Sequence, residues 1–311
     1  MELVRGIHNL CFQHHGCALT VGNFDGVHLG HQKVLHQLSR KARELGLPPA
    51  VMVFEPQPQE LFTKKRAPAR ITSLRDKYFQ LRRLDIDFLL CVNFNEHFAN
   101  LSAESFVYDL LVSRLGVRFL VVGDDFCFGK DRKGNFDMLT RAGKQCGFDV
   151  ISTKSFQVDS TRISSTSIRE ALARCDLRSA AMMLGRHYSI SGRVSHGRKL
   201  ARTIGFPTAN ILLKPFFLPT SGVYVVNVSG LSHSLVNGIA NIGQRPTVGG
   251  VNQKLEVHLF GVSENLYGKR LNVTLLHKLR EEEKFESVSI LRKQIELDSE
   301  AARTWLLQHI S

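Results

Sequence analysis

The stretch Val21-Gly22-Asn23-Phe24-Asp25-Gly26-Val27-His28-Leu29-Gly30-His31 decides how the first half of this chain folds. Ahead of it, the apolar run Ala18-Leu19-Thr20-Val21 reads as a buried strand. Behind it, Gln32 to Leu45 carries Val34, Leu35, Leu38, Ala42 and Leu45 at helical spacing. Gly22, Gly26 and Gly30 therefore fall in a strand-to-helix turn, where positive φ and close backbone approach are expected. Backbone N–H groups at such a helix start point outward and favour an anion, phosphate above all. His28 and His31 bracket Leu29-Gly30, so both imidazoles can reach one bound anion and donate hydrogen bonds as its charge redistributes. With Asp25 and three glycines directly after a first strand, the pattern points to a nucleotide site rather than to two surface histidines.

Outward from this motif, short apolar runs alternate with amphipathic segments as far as about residue 185. Ala50–Phe54 reads as a strand stopped by Pro56 and Pro58, and Ser73–Leu84 as a helix with Leu74, Tyr78, Leu81 and Leu84 on one face. Asp87–Val92, Arg118–Val122 and Phe148–Ile151 are further strands. Ser102 caps a helix running to Leu115, and Phe136–Cys146 is another. Continuous apolar strands separated by helices imply a doubly wound parallel sheet covered on both faces. Phosphate ligands in such sheets sit outside the carboxyl ends of the strands, where His28 and His31 would lie.

Two more segments fall in that zone. Gly123-Asp124-Asp125-Phe126-Cys127-Phe128-Gly129 follows a strand and leads into Lys130, Arg132 and Lys133, either a solvated loop or a set of cations for ATP phosphates. Ile163-Ser164-Ser165-Thr166-Ser167-Ile168-Arg169 opens a helix. Ser165 or Thr166 suits an N-cap there, and the same segment suits a triphosphate-binding helix start with Arg169 as clamp.

Asp176–Leu184 closes this half as a short helix, with Gly185-Arg186 at the boundary. The texture then changes. Tyr188–Val194, Gly222–Val228, Leu235–Ala240, Leu255–Phe260 and Leu271–Leu279 are strand-like runs with no helix between them until Ser287–Gln308. That is the pattern of an antiparallel β-barrel with a terminal helix. Its densest motif runs from Gly192 to Asn210 and supplies a cationic glycine-rich loop (Gly197, Arg198, Lys199, Arg202, Gly205) suited to ATP phosphates. Thr208 and Asn210 stand two apart, on one side of an extended segment, and offer the hard oxygens that Mg²⁺ accepts. Glu256 starts another strand. It either faces solvent or, if turned to the nucleotide loop, accepts the proton of a hydroxyl attacking a γ-phosphate.

The totals set the frame. Lys and Arg number 41 against 28 Asp and Glu, a net charge of +13 that suits polyanionic partners, nucleic acid or phosphorylated small molecules alike. The six cysteines form no Cys-x-x-Cys pair and no ligand spacing with histidine, which suggests scattered reduced thiols and a cytoplasmic protein. No secretory signal is visible, and no apolar run approaches the roughly 18 residues of a membrane helix.

The His-x-Gly-His at 28–31 resembles the motif of the nucleotidyltransferase superfamily. Gly22–His31, Phe54-Glu55-Pro56-Gln57-Pro58, Gly123–Gly129 and Ser164–Arg169 together are similar, in order and spacing, to the adenylyltransferase half of bacterial riboflavin kinase/FAD synthetases. Gln57 stands where many members carry His, and Asp125 where some carry Asn. In the second half, Gly205-Phe206-Pro207-Thr208-Ala209-Asn210 resembles the core motif of riboflavin kinases. Gly238–Thr247 (with Asn241 and Arg245), Leu255–Phe260, Tyr267-Gly268, Leu279-Arg280 and Lys284-Phe285 match further segments, with Ala201 and Gln244 in place of Gly and Thr.

The resemblance spans Thr20 to Trp305 and implies two domains, residues 1–185 an FMN adenylyltransferase and 186–311 a riboflavin kinase. It implies Glu256 as general base, Thr208 and Asn210 on Mg²⁺, and His28 and His31 at the α-phosphate. Ser164, Ser165, Thr166 and Arg169 would hold the pyrophosphate. Gly22, Phe24, Asp25, Gly26, Asp125, Phe128, Gly129, Arg132, Gly192, Gly197, Lys199, Arg202, Gly205, Phe206, Pro207, Asn241 and Arg245 would line the nucleotide and flavin sites. The implied substrates are ATP, riboflavin and FMN, with no resident cofactor, nucleic acid or membrane. Two rival classes are an adenylyltransferase carrying a flavin-binding regulatory barrel and a nucleic-acid binder. The second lacks aromatics interleaved with its basic clusters.

Overall fold

The computed structural model describes residues 1–63, 67–123, 125–153, 163–196, 206–211, 213, 218–231, 235–247, 250–262 and 264–309. The chain folds as two units, Met1–Pro68 with Leu74–Ser164, and Ala69–Ser73 with Ser165–Ser311.

The first unit is built on β1 (Glu2–Arg5), β2 (Ala18–Val21), β3 (Pro49–Glu55), β4 (Phe88–Asn93), β5 (Phe119–Val122) and β6 (Asp149–Ser152). They form one sheet in the order β1-β4-β3-β2-β5-β6, with every neighbouring pair parallel. Alternate residues feed opposite faces. Leu19, Val21, Ala50, Met52 and Phe54 join one core with Phe106, Leu110 and Leu139, while Val51 and Val53 join another with Leu35 and Leu81. A doubly wound sheet results because both faces of each central strand are apolar and each needs a helical cover.

Helix α1 (Leu29–Glu44) begins earlier than the apolar spacing suggests, because His28 caps it. Leu35, Leu38 and Ala42 on its inner stripe are fully buried, the two leucines worth about 1.5–3 kcal/mol each in apolar burial. The other helices are α2 (Pro58–Thr63), α3 (Leu74–Leu81), α4 (Glu96–Ala99), α5 (Ala103–Ser105) and α6 (Phe136–Cys146). α3 stops short of Leu84, which still packs inward from the following turn. Ser102 caps α5 by accepting from the Ser105 N–H, and the helix runs on, π-wound, through Phe106–Arg114.

The second unit opens with α7 (Ser165–Ala173) and α8 (Leu177–Leu184). Asp176 caps α8, and its hydrogen bonds from Ser179 hold its carboxyl below the usual range. α8 ends at left-handed Gly185. Then come β7 (Ser189–Ser195), β8 (Ala209–Ile211), β9 (Gly222–Ser229), β10 (Val236–Thr247), β11 (Gly250–Leu259) and β12 (Arg270–Arg280), closed into an antiparallel barrel in the order β10-β11-β8-β7-β12-β9. Its core joins Ile190, Val226, Ile242, Leu255 and Val273 to Ile168 and Leu172 of α7. The terminal helix α9 (Val288–His309) lays Ala302 and Leu306 on Val225 and Ile239. It is pinned by Arg280, whose Nε and Nη2 donate to the buried Asp298 carboxylate at 2.9 and 2.8 Å.

Candidate active sites

In the sheet, β2 and β5 are neighbours although β3 and β4 separate them in the chain, so the winding reverses there. Ligands of open α/β sheets bind outside the carboxyl ends of such a pair. β2 delivers Gly22–His31 to that point and β5 delivers Gly123 and, after residue 124, Asp125–Gly129.

The first turn is tightly wound. Phe24 (φ 47), Gly26 (φ 86) and Val27 (φ 41) are all left-handed, and burial of Phe24 and Val27 holds two side chains where glycine would be easier. Gly26 alone of the three glycines meets the expectation of positive φ. Gly22 and Gly30 are needed for close approach instead. A Cβ on Gly22 would sit 3.2 Å from the Phe24 ring, and one on Gly30 3.2 Å from His28 Nδ1.

His28 and His31 are stacked, with ring centroids 3.6 Å apart. His28 Nδ1 accepts the backbone N–H of His31 at 3.2 Å, which leaves its proton on Nε2. The Nδ1 of His31 is out of water without a partner among the described residues. Burial, then the adjacent His28 and Lys77, push the His31 imidazole well below its usual value, so it rests neutral. Asp25, Gln57 and Lys77 are buried polar residues of the same unit, Lys77 completely so. Lys77 escaped the sequence reading because it resembled a solvated cation. The available signal was its place on the Leu74–Leu81 apolar stripe.

The carbonyl of Ile163 lies 3.6 Å from where a Gly30 Cβ would be, which brings the Ile163–Ser164 backbone alongside the start of α1. α7 begins at Ser165, so Ser165 and Thr166 lie inside its first turn rather than capping it. Arg169 Nε donates to the Ala69 carbonyl at 2.6 Å. Asp125 and Arg132 are exposed. Gly129 (φ 74) fits because a Cβ would meet the Ala103 backbone at 2.6 Å, and Phe128 is packed under the loop, 4.9 Å from Phe106.

In the barrel, register makes the site. Glu256 of β11 stands opposite Asn210 of β8 on one side and Asn241 of β10 on the other, and Ser195 of β7 stands opposite Asn210. Directly paired residues share a face of the sheet, so Asn241, Glu256, Asn210 and Ser195 form one row across four strands. Their neighbours Ala240, Ile242, Ala209, Ile211, Leu255 and Val257 point into the core, which puts the row on the outer face. Glu256 thus faces outward, as strand carboxylates usually do, yet flanked by two amides. Lys254 Nζ lies 3.3 Å from its Oε1, and its side chain stays about one-third exposed, at 35%.

Asn241 Oδ1 is buried without a partner among the described residues. His258 Nδ1 meets the Pro207 carbonyl at 3.0 Å and its ring packs against Phe206, which fixes the approach to Thr208. Gly192 is buried in β7. Gly197, Lys199, Arg202 and Gly205 lie outside the described residues, as does the side chain of Arg245. Among the described residues no group of three or more His, Cys, Asp or Glu is placed to hold a metal, and no helix is long and apolar enough to cross a membrane.

Known proteins match both halves. Residues 12–167 fit the FAD synthetase family and residues 184–306 the riboflavin kinase family. A Haemophilus influenzae protein named bifunctional riboflavin kinase/FMN adenylyltransferase is 52% identical over 305 residues, covering 98% of this chain and 99% of its own. An Escherichia coli K12 protein of the same name is 51% identical over 304 residues, 97% of each chain. A crystal structure described as a macrolide-efflux protein from Streptococcus pneumoniae superposes with a TM-score of 0.77 at 28% identity, over 98% of this chain and all of that one. With both halves matched in one chain along nearly its full length, the protein belongs to the bifunctional riboflavin kinase/FMN adenylyltransferase family.

Proposed function

We infer that this chain makes FAD in two steps, phosphorylating riboflavin to FMN with ATP and then transferring AMP from ATP to FMN with release of pyrophosphate. The observation that carries the two-site reading is the Asn241–Glu256–Asn210 row, a carboxylate between two amides on the barrel's outer face. A regulatory flavin-binding barrel has no need of a carboxylate held there.

In the kinase half, assigned to residues 186–311, Glu256 takes the proton of the riboflavin ribityl hydroxyl as its oxygen attacks the γ-phosphoryl group. Thr208 and Asn210 are neutral hard oxygen donors, a set that suits Mg²⁺ whose remaining charge is balanced by nucleotide phosphates. The bound ion supplies charge neutralisation on those phosphates. Gly192, Gly197, Lys199, Arg202, Gly205, Phe206, Pro207, Asn241 and Arg245 bind nucleotide and flavin.

In the adenylyltransferase half, assigned to residues 1–185, His28 and His31 donate to the α-phosphate as FMN attacks it. Ser164, Ser165, Thr166 and Arg169 receive the pyrophosphate, and Gly22, Phe24, Asp25, Gly26, Asp125, Phe128, Gly129 and Arg132 shape the pocket. Positioning and charge stabilisation suffice for this chemistry without a covalent enzyme intermediate. The substrates and the free thiols support a cytoplasmic location.

The test is a flavin time course with riboflavin, ATP and Mg²⁺. FMN that rises and then gives way to FAD is the expected result. Riboflavin left untouched while added FMN becomes FAD would remove the kinase assignment.

A further inference from the structure

Where the turn between α7 and α8 meets the barrel, three reactive side chains are in contact. Lys278 Nζ donates to Cys175 Sγ at 2.9 Å, and the Tyr224 hydroxyl lies 3.6 Å from the same sulfur. Lys278 of β12 stands opposite Tyr224 of β9, so the two share the inner face of the barrel that Tyr224 fills. Tyr224 is fully buried and locked, with Thr220 Oγ1 at 2.7 Å and the Ser221 carbonyl, to which it donates, at 2.8 Å. The Lys278 stem lies across Gly222, where a Cβ would meet its Cε at 2.8 Å. The Lys278 ammonium also pairs with the Glu281 carboxylate. The nitrogen is thus held against the sulfur.

The cysteine occupies a position where a side chain is costly. α7 ends in two hydrogen bonds, from the Cys175 N–H to the Leu172 carbonyl and from the Asp176 N–H to the Ala171 carbonyl. Such an end calls for a left-handed residue, ordinarily glycine, and Cys175 takes that conformation at φ 60. What the side chain gains there is contact with Lys278. Partial burial opposes the charge on the lysine, but its contacts with Cys175 and Glu281 outweigh this and hold the ammonium above its ordinary range. The thiolate is the reactive form of a cysteine, and an adjacent ammonium is the charge that balances it. Cys175 is half-buried, so a small reagent can reach it.

We propose that Cys175 and Lys278 form a cross-linking site driven by hydrogen peroxide, closed by a sulfur–nitrogen bond between the α7–α8 turn and β12. The thiolate attacks one peroxide oxygen. An S–O bond forms, the O–O bond breaks, and the departing hydroxide takes a proton from the Lys278 ammonium and leaves as water. Cys175 is then a sulfenic acid beside a neutral amine, and sulfenic acids condense with neighbouring nitrogens. The amine attacks the sulfur, the S–N bond forms, the S–O bond breaks, and hydroxide leaves with a proton from the nitrogen as a second water. The sulfur has lost two electrons, and one peroxide has become two waters. Two equivalents of a thiol restore the cysteine and the lysine and leave as a disulfide. The step uses neither flavin nor nucleotide, so it stands apart from the two-site reading.

The experiment treats the full chain with hydrogen peroxide, blocks the remaining thiols with iodoacetamide and digests it without reductant for mass spectrometry. The expected product is a peptide pair joined through Cys175 and Lys278, two hydrogens lighter than its parts, which dithiothreitol separates. Lys278→Arg keeps the charge and removes the nucleophile. In that variant Cys175 should take up dimedone, a trap for sulfenic acids, about tenfold more than in the parent. Cys175→Gly, which installs the residue the turn favours, should fold and give no joined peptide. A parent in which Cys175 stays reduced, or reaches the sulfinic acid without a link, overturns the proposal. Equal dimedone labelling of the parent and Lys278→Arg overturns it too. Should the arginine variant fail to fold, the joined peptide in the parent still decides.

Discussion

The two halves of this molecule build their candidate sites by opposite means. In the parallel sheet, His28 and His31 stand at a helix start, positioned by a left-handed turn and stacked on each other, with His31 kept neutral by burial and by the adjacent His28 and Lys77. In the barrel, Glu256, Asn210 and Asn241 are set side by side by strand register alone, on the outer face and partly in water. One site is shaped by enclosure, the other by alignment. A site made by enclosure ties chemistry to folding, because the groups that react also cap and pack. A site made by alignment leaves the core residues between its members to carry stability.

The sharpest way to break this comparison is Glu256→Gln. It should lower FMN formation by about 10²–10⁴-fold, the usual worth of a general base, while FMN-to-FAD conversion stays within about twofold. Its melting temperature should move little, since the side chain lies on the outer face and its ion pair with Lys254, itself partly exposed, is worth about 1 kcal/mol or less. His28→Ala should invert the pattern, costing roughly a hundredfold in FAD synthesis and sparing the kinase. It should also destabilise the first unit by about 1 kcal/mol through loss of the α1 cap, measurable by denaturant titration.

Asn241→Ala comes next. About a tenfold loss in kinase turnover is expected if its acceptor meets a substrate donor, since a buried donor left without its partner costs about 1–3 kcal/mol. Unchanged kinetics would confine the row to Asn210 and Glu256.

The smallest effect is a pH dependence of folding. Above the ordinary imidazole value of 6.5, His31 is neutral in both folded and unfolded chains. As pH falls below 6.5, the unfolded chain takes up a proton that the native site resists, so stability rises with pH up to 6.5 and is lost as pH drops. The slope from this group is at most about 1.4 kcal/mol per pH unit. His277 in the barrel, also held low by burial and by His309, acts with the same sign. The contrast that isolates His31 is therefore His31→Asn against the parent, measured at pH 5.5 and 7.5, where the variant should lose less.

Much of this was readable beforehand. Parallel strands such as Ala50–Phe54 are apolar on both faces, and the barrel strands come at short turn-separated intervals, so both architectures follow from composition along the chain. Less legible was β1, whose four residues include Glu2 and Arg5, and β8, whose three residues look like a loop until β7 and β11 flank them. The positions of His28, His31, Thr208, Asn210 and Glu256 stood out because polar groups interrupt apolar or glycine-rich runs. Lys77 did not, since a lysine on a helix is ordinarily solvated. Nor could spacing assign separate tasks to the glycines, because a positive φ at Gly26 and a close ring at Gly22 depend on where the chain turns.

The row from Asn241 through Glu256 and Asn210 to Ser195 also constrains how this chain can change over generations. Residues on it and around it can be exchanged one at a time, each at its own cost. Length cannot be altered in the same piecemeal way. Adding or deleting a single residue ahead of Glu256 within β11, with the rest of the strand carried along, would send its carboxylate inward and Leu255 or Val257 out. The kinase half is therefore expected to drift by substitution, and to accept insertions only in the turns beyond its strands.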